Sequence, residues 1–289
     1  MRSKKGLMIS ALAVSAVIAL AGCTDSGAPT PGTEVDGNVS FEEGTTMAKL
    51  NEAGTITIGT KYDQPLFGQV DAEGKPQGFD VEIGKLIAAK LGIDAKNIEW
   101  KEAISANREP FIQSGDVDIV IATYTINDDR KKIVSFAGPY YEAGQDILVL
   151  AGNPEGIAGP DDVEGKKVCT VTGSTSEDNI LEYGAEVLPA AGYSECLEPL
   201  RTGAVVAVTT DNVILAGLAA QNEGEFEVVN APFTQEPYGI GLALDDDVFR
   251  DWINDVLEES YEDGTWDSAW EATAGKVLDL PDPPAVDRY

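Results

Sequence analysis

Short apolar runs and amphipathic stretches of helical period alternate along most of the chain. In the first half, this pattern predicts strands at 55–59, 97–100, 117–123 and 145–150, and helical segments at 47–54, 81–91, 106–113 and 127–132. In the second half, it predicts strands at 167–171, 196–200, 204–208 and 237–244, and helices at 176–188, 211–221 and 248–261. Strands that alternate with short helices are typical of parallel α/β units. Each half is therefore expected to form a small, doubly wound, mostly parallel sheet flanked by helices.

The N-terminal segment has the order of a lipoprotein signal. Three basic residues lie among the first five positions and precede an apolar stretch at 7–20, and the sequence Leu-Ala-Gly-Cys ends at Cys23. The apolar stretch is shorter than the about 20 residues that a membrane-spanning helix needs. We therefore expect 1–22 to be removed and Cys23 to anchor the protein by lipid to the extracellular face of the cell membrane. An ordinary secretory signal followed by a chance cysteine is the alternative.

The remaining length suits two domains. Removal of 22 of the 289 residues leaves 267, which is long for one compact core. Residues 23–44 are rich in proline and glycine and are expected to form a flexible tether, and the proline-containing residues 281–289 an irregular tail. Doubly wound sheets bind ligands at the carboxyl ends of their strands, so two facing lobes would create one cleft.

The composition excludes several classes of function. The chain carries 50 acidic and 20 basic residues and no histidine, for a formal net charge of −30. A negative field of this size disfavours nucleic acids as partners, and it usually reflects a well solvated surface. Without histidine, the chain lacks the commonest general base and metal ligand, and it contains no Ser-x-x-Lys pair, phosphate loop or complete dinucleotide-binding glycine motif. Enzymes can be built without these groups, so the composition disfavours an enzyme and does not exclude one; our expectation is no catalytic residues, no metal site and no cofactor.

Two cysteines remain if Cys23 carries the lipid. An even pair in an oxidising compartment, here Cys169 and Cys196, is typical of a disulfide bond. Two buried thiols are the alternative. A metal site is disfavoured because two cysteines without histidine do not fill a tetrahedral zinc shell.

Seven short segments carry a resemblance when they are taken together and in order. They are Gly-Thr-Lys-Tyr-Asp-Gln-Pro at 59–65, Gln-Gly-Phe-Asp-Val-Glu at 77–82, Ala-Thr-Tyr-Thr-Ile-Asn-Asp-Asp-Arg at 122–130, Phe-Ala-Gly-Pro-Tyr-Tyr at 136–141, Thr-Gly-Ser-Thr at 172–175, Thr-Asp at 210–211 and Glu-Pro-Tyr-Gly at 236–239. The set resembles the extracellular solute-binding proteins that deliver polar amino acids to ABC transporters. With the lipoprotein signal and the two later cysteines, it is most similar to glutamate-binding lipoproteins of high-GC Gram-positive bacteria.

The resemblance implies a type II periplasmic-binding-protein-like fold with a split first lobe. Lobe 1 would comprise 45–147 plus 243–280, and lobe 2 would comprise 148–242. Two extended segments, 143–150 and 238–244, would form the hinge. Ligand binding would close the lobes, and an ABC permease in the membrane would recognise the closed shape.

An α-amino acid presents a carboxylate and an ammonium group, so its site needs a cation at one end and an anion at the other. The resemblance implies that Arg130 clamps the α-carboxylate with two parallel hydrogen bonds and that Asp211 binds the ammonium group. It also implies further contacts to the ligand from four threonines, Thr123, Thr125, Thr172 and Thr175. Without the resemblance, the same residues would be interpreted as a surface ion pair, strand-forming threonines and a helix cap.

The resemblance also favours an acidic ligand, with glutamate first and aspartate or asparagine second. A side-chain carboxylate in a closed cleft needs a second cation, because burying it unpaired costs several kcal/mol. Lys61 and Arg108 occupy positions where relatives that bind acidic amino acids carry basic residues. Surface positions for both side chains are the alternative.

The expected protein is a monomer that touches the membrane only through its N-terminal lipid. Its partners would be a small ligand and an ABC permease. Two other functions stay open on the sequence alone. One is a dehydratase-like enzyme of the same fold, with Glu236 or Asp211 as general acid or base. The other is an amino-acid sensor whose closed form contacts a membrane signalling protein.

Overall fold

The computed structural model describes residues 35, 37 and 39–289. The predicted signal, the lipid-anchor residue Cys23 and most of the predicted tether lie outside these residues. None of the helices in the described part of the chain combines the length and apolar character needed to cross a membrane.

The described residues form eight α-helices and thirteen strands. The helices are α1 (Thr46–Ala53), α2 (Phe79–Lys90), α3 (Arg108–Ser114), α4 (Thr175–Glu182), α5 (Leu197–Arg201), α6 (Asn212–Gln221), α7 (Asp247–Asp263) and α8 (Thr265–Ala272). The strands are β1 (Ile56–Thr60), β2 (Asp63–Gln64), β3 (Gly68–Val70), β4 (Pro76–Gln77), β5 (Ile98–Glu102), β6 (Ile119–Val120), β7 (Ser135–Ala143), β8 (Gln145–Leu150), β9 (Lys167–Val171), β10 (Glu186–Ala190), β11 (Ala207–Asp211), β12 (Phe226–Val228) and β13 (Glu236–Leu242).

Lobe 1 is built on a five-stranded sheet with the order β5-β1-β6-β13-β7. Strands β5, β1 and β6 run parallel, and β13 runs antiparallel to both β6 and β7. Helix α2 packs against β1 and α8, and α7 packs against β7. Two tryptophans one turn apart on α8, Trp266 and Trp270, stack with ring centroids 5.8 Å apart and meet Phe79 of α2 edge-on. This aromatic cluster joins the C-terminal helices to lobe 1.

Lobe 2 repeats the arrangement with the order β10-β9-β11-β8-β12. Strands β10, β9 and β11 run parallel, and β8 runs antiparallel to β11 and β12. Its core contains Ile147, Val168, Ile180 and Ala207, each at most 1% exposed. A small three-stranded sheet, β2-β3-β4, belongs to the first part of the chain.

Both five-stranded sheets are mostly parallel, as predicted, because four strands in each point the same way and one strand, β13 in lobe 1 and β8 in lobe 2, runs in the opposite direction. In each sheet two strand pairs are parallel and two are antiparallel. The antiparallel pairs involve β13 and β8, which enter their sheets directly from the other lobe. A strand that arrives without a crossover connection can run antiparallel to its neighbours. The two-lobed α/β architecture itself is as predicted.

The chain crosses between the lobes at two places. The first crossing is at Gly144, between β7 and β8, and the second is at 229–235, between β12 and β13. The predicted hinge at 238–244 is therefore wrong, because Gly241 and Leu242 of β13 pair with β6 inside the sheet of lobe 1. The lobe borders predicted after 147 and after 242 both move towards these crossings.

Two predicted elements of lobe 2 are also corrected. The helix expected at 176–188 ends at Glu182, because Gly184 has a φ of +74° and the chain then continues as β10. The strand expected at 196–200 is helical and forms α5. Its buried residues Leu197 and Leu200, with Cys196 before them, lie on one face of a helix at this spacing.

The two cysteines of lobe 2 are joined. Cys169 on β9 and Cys196 before α5 form a disulfide bond with a Cα–Cα separation of 5.5 Å. Both residues are buried. The bond spans 27 positions of the sequence, and closing a loop of this length in the unfolded chain stabilises the fold by about 3 to 4 kcal/mol.

Both ends of the described chain pack onto lobe 1. Phe41, inside the predicted tether, meets Trp252 of α7 edge-on with ring centroids 5.7 Å apart, so the tether ends earlier than expected. The tail at 281–289 has no helix or strand, as predicted. It is nevertheless fixed, since Asp287 pairs with Lys131 at 2.9 Å and the Tyr289 hydroxyl accepts a hydrogen bond from the Phe136 amide.

Candidate functional site

A polar cavity lies where the two lobes meet. The cavity is narrow in this arrangement of the lobes: all space between its atoms, open solvent included, amounts to about 230 Å³, and only about 10 Å³ of it can hold the centre of a water molecule. From lobe 1 and its loops, the cavity is lined by Gln64, Ser105, Arg108, Thr123 and Thr125. From lobe 2, it is lined by Ser174, Thr175, Ser176, Tyr193, Thr210, Asp211 and Ile214. All but one of the twelve side chains are polar or charged, so the cavity suits a small polar solute.

The lining comes from strand ends and helix starts, as expected for doubly wound sheets. Thr123 and Thr125 follow β6, and Thr210 and Asp211 end β11 where α6 begins. Ser174 caps α4, and its hydroxyl accepts a hydrogen bond from the Glu177 amide at 3.0 Å. The first turns of α4 and α6 therefore lie beside the cavity, and in α6 the first two amides are already bonded, Asn212 N to the Gly144 carbonyl at 2.8 Å and Val213 N to the Asn212 side chain at 2.9 Å.

Thr123 is held in an unusual conformation by a buried carboxylate. Its φ of +44° lies in the left-handed region, and its amide donates to Asp80 at 2.8 Å. Tyr140 donates to the other Asp80 oxygen at 2.6 Å. Burial raises the pKa of Asp80 to about 6, although these two hydrogen bonds oppose the shift. Asp80 thus fixes the lobe 1 wall of the cavity, where the Thr123 hydroxyl donates to Gln64.

Arg108 is a buried cation on the cavity wall. Its guanidinium donates to backbone carbonyls of Ser105, Ala122 and Thr123 at 3.2 to 3.4 Å, and across the cleft to Gly173 at 3.4 Å. Among the described residues, no carboxylate forms a salt bridge with it. Burial, together with the charge of Arg130, lowers the pKa of Arg108 to about 10. Its positive charge is therefore not neutralised locally.

Lys61 is a second buried cation beside Arg108. It is 3% exposed and donates to the hydroxyl of Ser105, a lining residue, at 2.9 Å. Burial and the charge of Arg108 lower the pKa of Lys61 to about 7. Lys61 does not itself line the cavity, and its hydrogen bond to Ser105 connects it to the lining.

Arg130 lies directly behind the lining. Its guanidinium donates to the carbonyl of Thr125 at 2.7 Å and to that of Gly173 at 3.3 Å, and it pairs with Glu109 at 3.3 Å. Arg130 and Arg108 both contact the ring of Tyr124, with guanidinium carbons 5.0 and 4.2 Å from the ring centroid. Such cation–π contacts stabilise each cation by about 0.5 to 2 kcal/mol. Tyr124 thus contacts both arginines.

Asp211 supplies negative charge from lobe 2. It is 4% exposed, and its Oδ2 accepts from the Tyr238 hydroxyl at 2.6 Å. Its Oδ1 is buried and accepts no hydrogen bond from any described residue. Burial, with Glu236 nearby, raises the pKa of Asp211 to about 7. An unpaired oxygen of this kind favours a ligand that donates hydrogen bonds and carries positive charge.

The threonines of the second lobe have different positions. Thr175 lines the cavity, and its hydroxyl donates to Glu236 at 2.8 Å. Glu236 is 2% exposed and lies at the start of β13, so this bond joins the returning strand to α4. Thr172 lies outside the cavity and lines a neighbouring crevice with Ile104 and Ala106.

Five of the eight predicted ligand residues line the cavity: Arg108, Thr123, Thr125, Thr175 and Asp211. Lys61 and Arg130 lie in the adjacent cation cluster, and Thr172 lies outside. Sequence reasoning missed Gln64, Ser105, Ser174, Ser176, Tyr193, Thr210 and Ile214. Gln64, Ser174 and Thr210 belong to the segments that carried the family resemblance, whereas Tyr193 and Ile214 had no local signal.

The described residues contain no group of histidine, cysteine and acidic side chains able to hold a metal ion.

Two characterised proteins are similar over most of their length. The glutamate-binding protein GluB of Corynebacterium efficiens is 38% identical over 265 residues, which cover 88% of this chain and 85% of that protein. The ABC transporter glutamine-binding protein GlnH of Bacillus subtilis is 37% identical over 273 residues, covering 93% and 96%. Both are named as binding proteins, in agreement with the expectation that the chain is not an enzyme.

The fold is also that of solved binding proteins. An ancestral arginine-binding protein bound to glutamine has a TM-score of 0.71 and 39% identity, and it covers 76% of this chain and 97% of its own. At the sequence level, residues 56–272 match the model of a protein family, the bacterial extracellular solute-binding proteins, family 3. This span includes both sheets and every lining residue of the cavity. The chain belongs to the bacterial extracellular solute-binding proteins of family 3.

Proposed function

We propose that this protein is the receptor of an ABC importer and captures an acidic L-amino acid. Glutamate is the preferred ligand, followed by aspartate or asparagine. The observation that carries the proposal is the buried guanidinium of Arg108, which lines the cavity without a salt-bridge partner among the described residues. A buried cation without an anion is unfavourable, and a ligand carboxylate would neutralise it.

The ammonium end of the ligand is assigned to Asp211. Its unpaired Oδ1 is the one carboxylate oxygen on the cavity lining that is free of hydrogen bonds within the described residues. An ammonium group offers three donors and a positive charge, and it would keep Asp211 ionised at neutral pH. This pairing is the same for every α-amino acid, so it contributes affinity without selecting the side chain.

The α-carboxylate is assigned to Arg130 with Thr125 and Thr175. Arg130 already contacts the Thr125 carbonyl. To meet a carboxylate, its guanidinium must exchange the hydrogen bond to Gly173 for two parallel bonds to the ligand. Glu109, paired with Arg130, holds the guanidinium in place for this exchange.

The side-chain carboxylate is assigned to Arg108, with Lys61 behind Ser105. Lys61 and Arg108 form no salt bridge within the part of the chain that the structure describes, so a second negative charge on the ligand is favourable there. A few charge-assisted hydrogen bonds, less the cost of ordering and closure, suggest an affinity around micromolar, about −8 kcal/mol. One of the relatives above is named as a glutamate-binding protein and the other as a glutamine-binding protein, so their names support an amino-acid ligand. The preference for a negatively charged side chain is argued from Arg108 and Lys61 alone.

The place of action follows from the family and the N-terminal sequence. Family members are extracellular, and the Leu-Ala-Gly-Cys sequence ending at Cys23 supports a lipid anchor. The receptor would act as a monomer on the outer face of the membrane. Its closed form would engage the permease.

Arg108→Gln is expected to remove the preference for glutamate over glutamine. The substitution deletes one charge that faces the ligand side chain, so glutamate affinity should fall by about 100-fold, or about 3 kcal/mol. Glutamine affinity should change by less than about fivefold, because a neutral amide does not need that charge. Calorimetric titration of ligand-free protein with glutamate, glutamine, aspartate and asparagine measures both effects.

Arg201→Gln is the control for this titration, since Arg201 pairs with Glu225 on the surface of lobe 2, outside the cavity. It should leave all four affinities unchanged. Equal losses of glutamate and glutamine affinity in Arg108→Gln would contradict the assignment. A wild-type protein that binds none of the four amino acids would refute the proposed function as a whole.

Glutamate binding is expected to take up a proton above pH 7 that glutamine binding does not. In the ligand-free protein, burial and Arg108 lower the pKa of Lys61 to about 7, so Lys61 is mostly neutral at pH 8. A carboxylate brought near it raises its pKa again. Glutamate affinity should therefore fall by up to about tenfold per unit as the pH rises above 7. Titrations in buffers of different ionisation enthalpy count the protons.

The comparison with glutamine isolates Lys61, because both ligands bring the same ammonium group to Asp211. Lys61→Met has a side chain of similar length without the charge, and it should abolish the difference in proton uptake. Equal proton uptake for glutamate and glutamine in the wild-type protein would show that Lys61 does not respond to the ligand side chain.

A further inference from the structure

Gly217 lies in the middle of α6 at a point where the two lobes touch outside the ligand cavity. Glycine at a helix interior is less favourable than alanine, so its presence needs a structural reason. A methyl group added to Gly217 would lie 2.6 Å from the carbonyl oxygen of Pro65. The three atoms nearest to that methyl group all belong to Pro65, in the other lobe. The conflict therefore exists only when the lobes are together.

Neither side of this contact can retreat easily. On lobe 1, the residues after Pro65 are fixed to the start of α2, because Phe79 N donates to Leu66 O at 2.7 Å and Asp80 N donates to Phe67 O at 3.0 Å. Phe67 is fully buried. The carbonyl of Pro65 is thus part of a rigid loop.

On lobe 2, α6 is fixed by its apolar face. Leu215 and Leu218, on either side of Gly217, are at most 1% exposed. One helical turn further on, Gln221 exchanges two side-chain hydrogen bonds with Gln69 of lobe 1, at 2.6 and 3.2 Å. The contact between Pro65 and Gly217 is therefore continued by a second pair of residues across the lobes.

The contact is coupled to the ligand cavity at both ends. Pro65 follows Gln64, which lines the cavity. Gly217 lies six residues after Asp211, about 9 Å along the helix axis. Small displacements at Gly217 therefore move Asp211 relative to the opposite wall.

From these contacts we infer that Gly217 sets ligand affinity from outside the cavity, by allowing α6 to approach Pro65 closely enough for the lobes to close. Affinity is the part of this inference that rests on the proposed function. The closure of the two lobes does not rest on the proposed function, and it can be measured without a ligand.

Gly217→Ala is expected to hinder closure while leaving each lobe intact. Overpacking a rigid contact should raise the glutamate dissociation constant about tenfold or more. The Tm of the ligand-free protein should be unchanged or up to about 3 °C higher, because alanine favours the helix. Gly159→Ala is the matched control: Gly159 is in lobe 2, has an extended φ of 179° and has no atom within 4 Å of an added methyl group.

Closure is measured by cross-linking in a second set of variants. Gln69→Cys with Gln221→Cys places two thiols across the lobes, and a short bismaleimide links them only when the lobes meet. The native disulfide is kept oxidised. The linking rate of ligand-free protein should fall about tenfold or more when Gly217→Ala is added, and should stay unchanged when Gly159→Ala is added.

An unchanged linking rate in Gly217→Ala would overturn the inference, and so would a clear loss of Tm, which would show that the methyl group damages lobe 2 itself. If the wild-type protein binds no amino acid, the proposed function fails but the linking rates still decide the role of Gly217. If glutamate binds normally to Gly217→Ala, the inference fails and the proposed function stands.

Discussion

Asp211→Asn should abolish tight binding of every amino acid while leaving the ligand-free protein as stable as the wild type or more so. Asparagine keeps the shape and can still bond to Tyr238, but it offers the ligand ammonium no negative charge. Removing one partner of a buried ion pair costs about 3 to 5 kcal/mol, or more than about 100-fold in affinity. Calorimetry with glutamate and glutamine should show similar losses for both.

The stability of the ligand-free protein is not expected to fall with the affinity, because a buried charge on Asp211 is unfavourable when no ligand ammonium is present. Burial raises the pKa of Asp211 from 3.8 to about 7. Its ionisation therefore lowers the stability of the ligand-free protein as the pH rises from about 4 to 7, and this loss persists at higher pH. Asn has no such cost, so the Tm at pH 8 should not fall.

Asp146→Asn is the matched control for Asp211→Asn. Asp146 is also a buried aspartate with a raised pKa, on the neighbouring strand β8, but it does not line the cavity. Its substitution should leave ligand affinity within about twofold of the wild type. Retention of wild-type affinity in Asp211→Asn would remove the ammonium assignment.

Arg130→Ala should likewise eliminate binding of all amino acids, and Arg130→Lys should not restore it fully. Alanine removes the proposed α-carboxylate clamp and leaves Glu109 without its partner, so the ligand carboxylate would meet an uncompensated negative charge. Lysine keeps the charge but cannot make two parallel bonds. At about 1.5 to 3 kcal/mol for a bond between charged groups, its affinity should be lower by about 10- to 100-fold.

Arg250→Lys tests whether any buried arginine of lobe 1 would have the same effect. Arg250 on α7 is 7% exposed and pairs with Asp247 and Asp251, away from the cavity. This variant should bind glutamate and glutamine normally. If Arg130→Ala retains affinity for both ligands, the guanidinium behind Thr125 does not hold the α-carboxylate.

The architecture was accessible from the sequence because periodicity and chain order are local signals. The alternation of strands and helices predicted two α/β lobes, and the turn from β11 into α6 was expected at Asp211. The one antiparallel strand in each sheet was less accessible. The antiparallel entry of β8 and β13 depends on where the chain crosses between lobes, and the crossing at 229–235 has no sequence motif that marks it.

Short apolar segments were the weakest part of the prediction. The residues of α5 contain too few positions to distinguish a strand from a helical turn. The helix predicted at 176–188 is longer than α4, which ends at Glu182. Only the positive φ of Gly184 separates that helix from β10.

The sequence predicts several residues of the candidate site, but it does not predict which side chains contact one another there. Arg108 and Asp211 were expected, and both line the cavity. The sequence could not show that Glu109, next to Arg108, turns to Arg130 instead, because that pairing depends on the fold of two separate segments. For the same reason, Tyr193 and Ile214 were missed, since they reach the cavity through packing.

A crystal structure of the protein with glutamate would show whether the two arginines and Asp211 hold the ligand. We expect the ligand ammonium within hydrogen-bond distance of Asp211 Oδ1, the α-carboxylate on Arg130 and the side-chain carboxylate on Arg108. We also expect the lobes to stay in contact at Gly217. A ligand that leaves Asp211 and both arginines facing solvent, or a cavity that accepts a sugar or a metal ion in place of glutamate, would contradict these assignments.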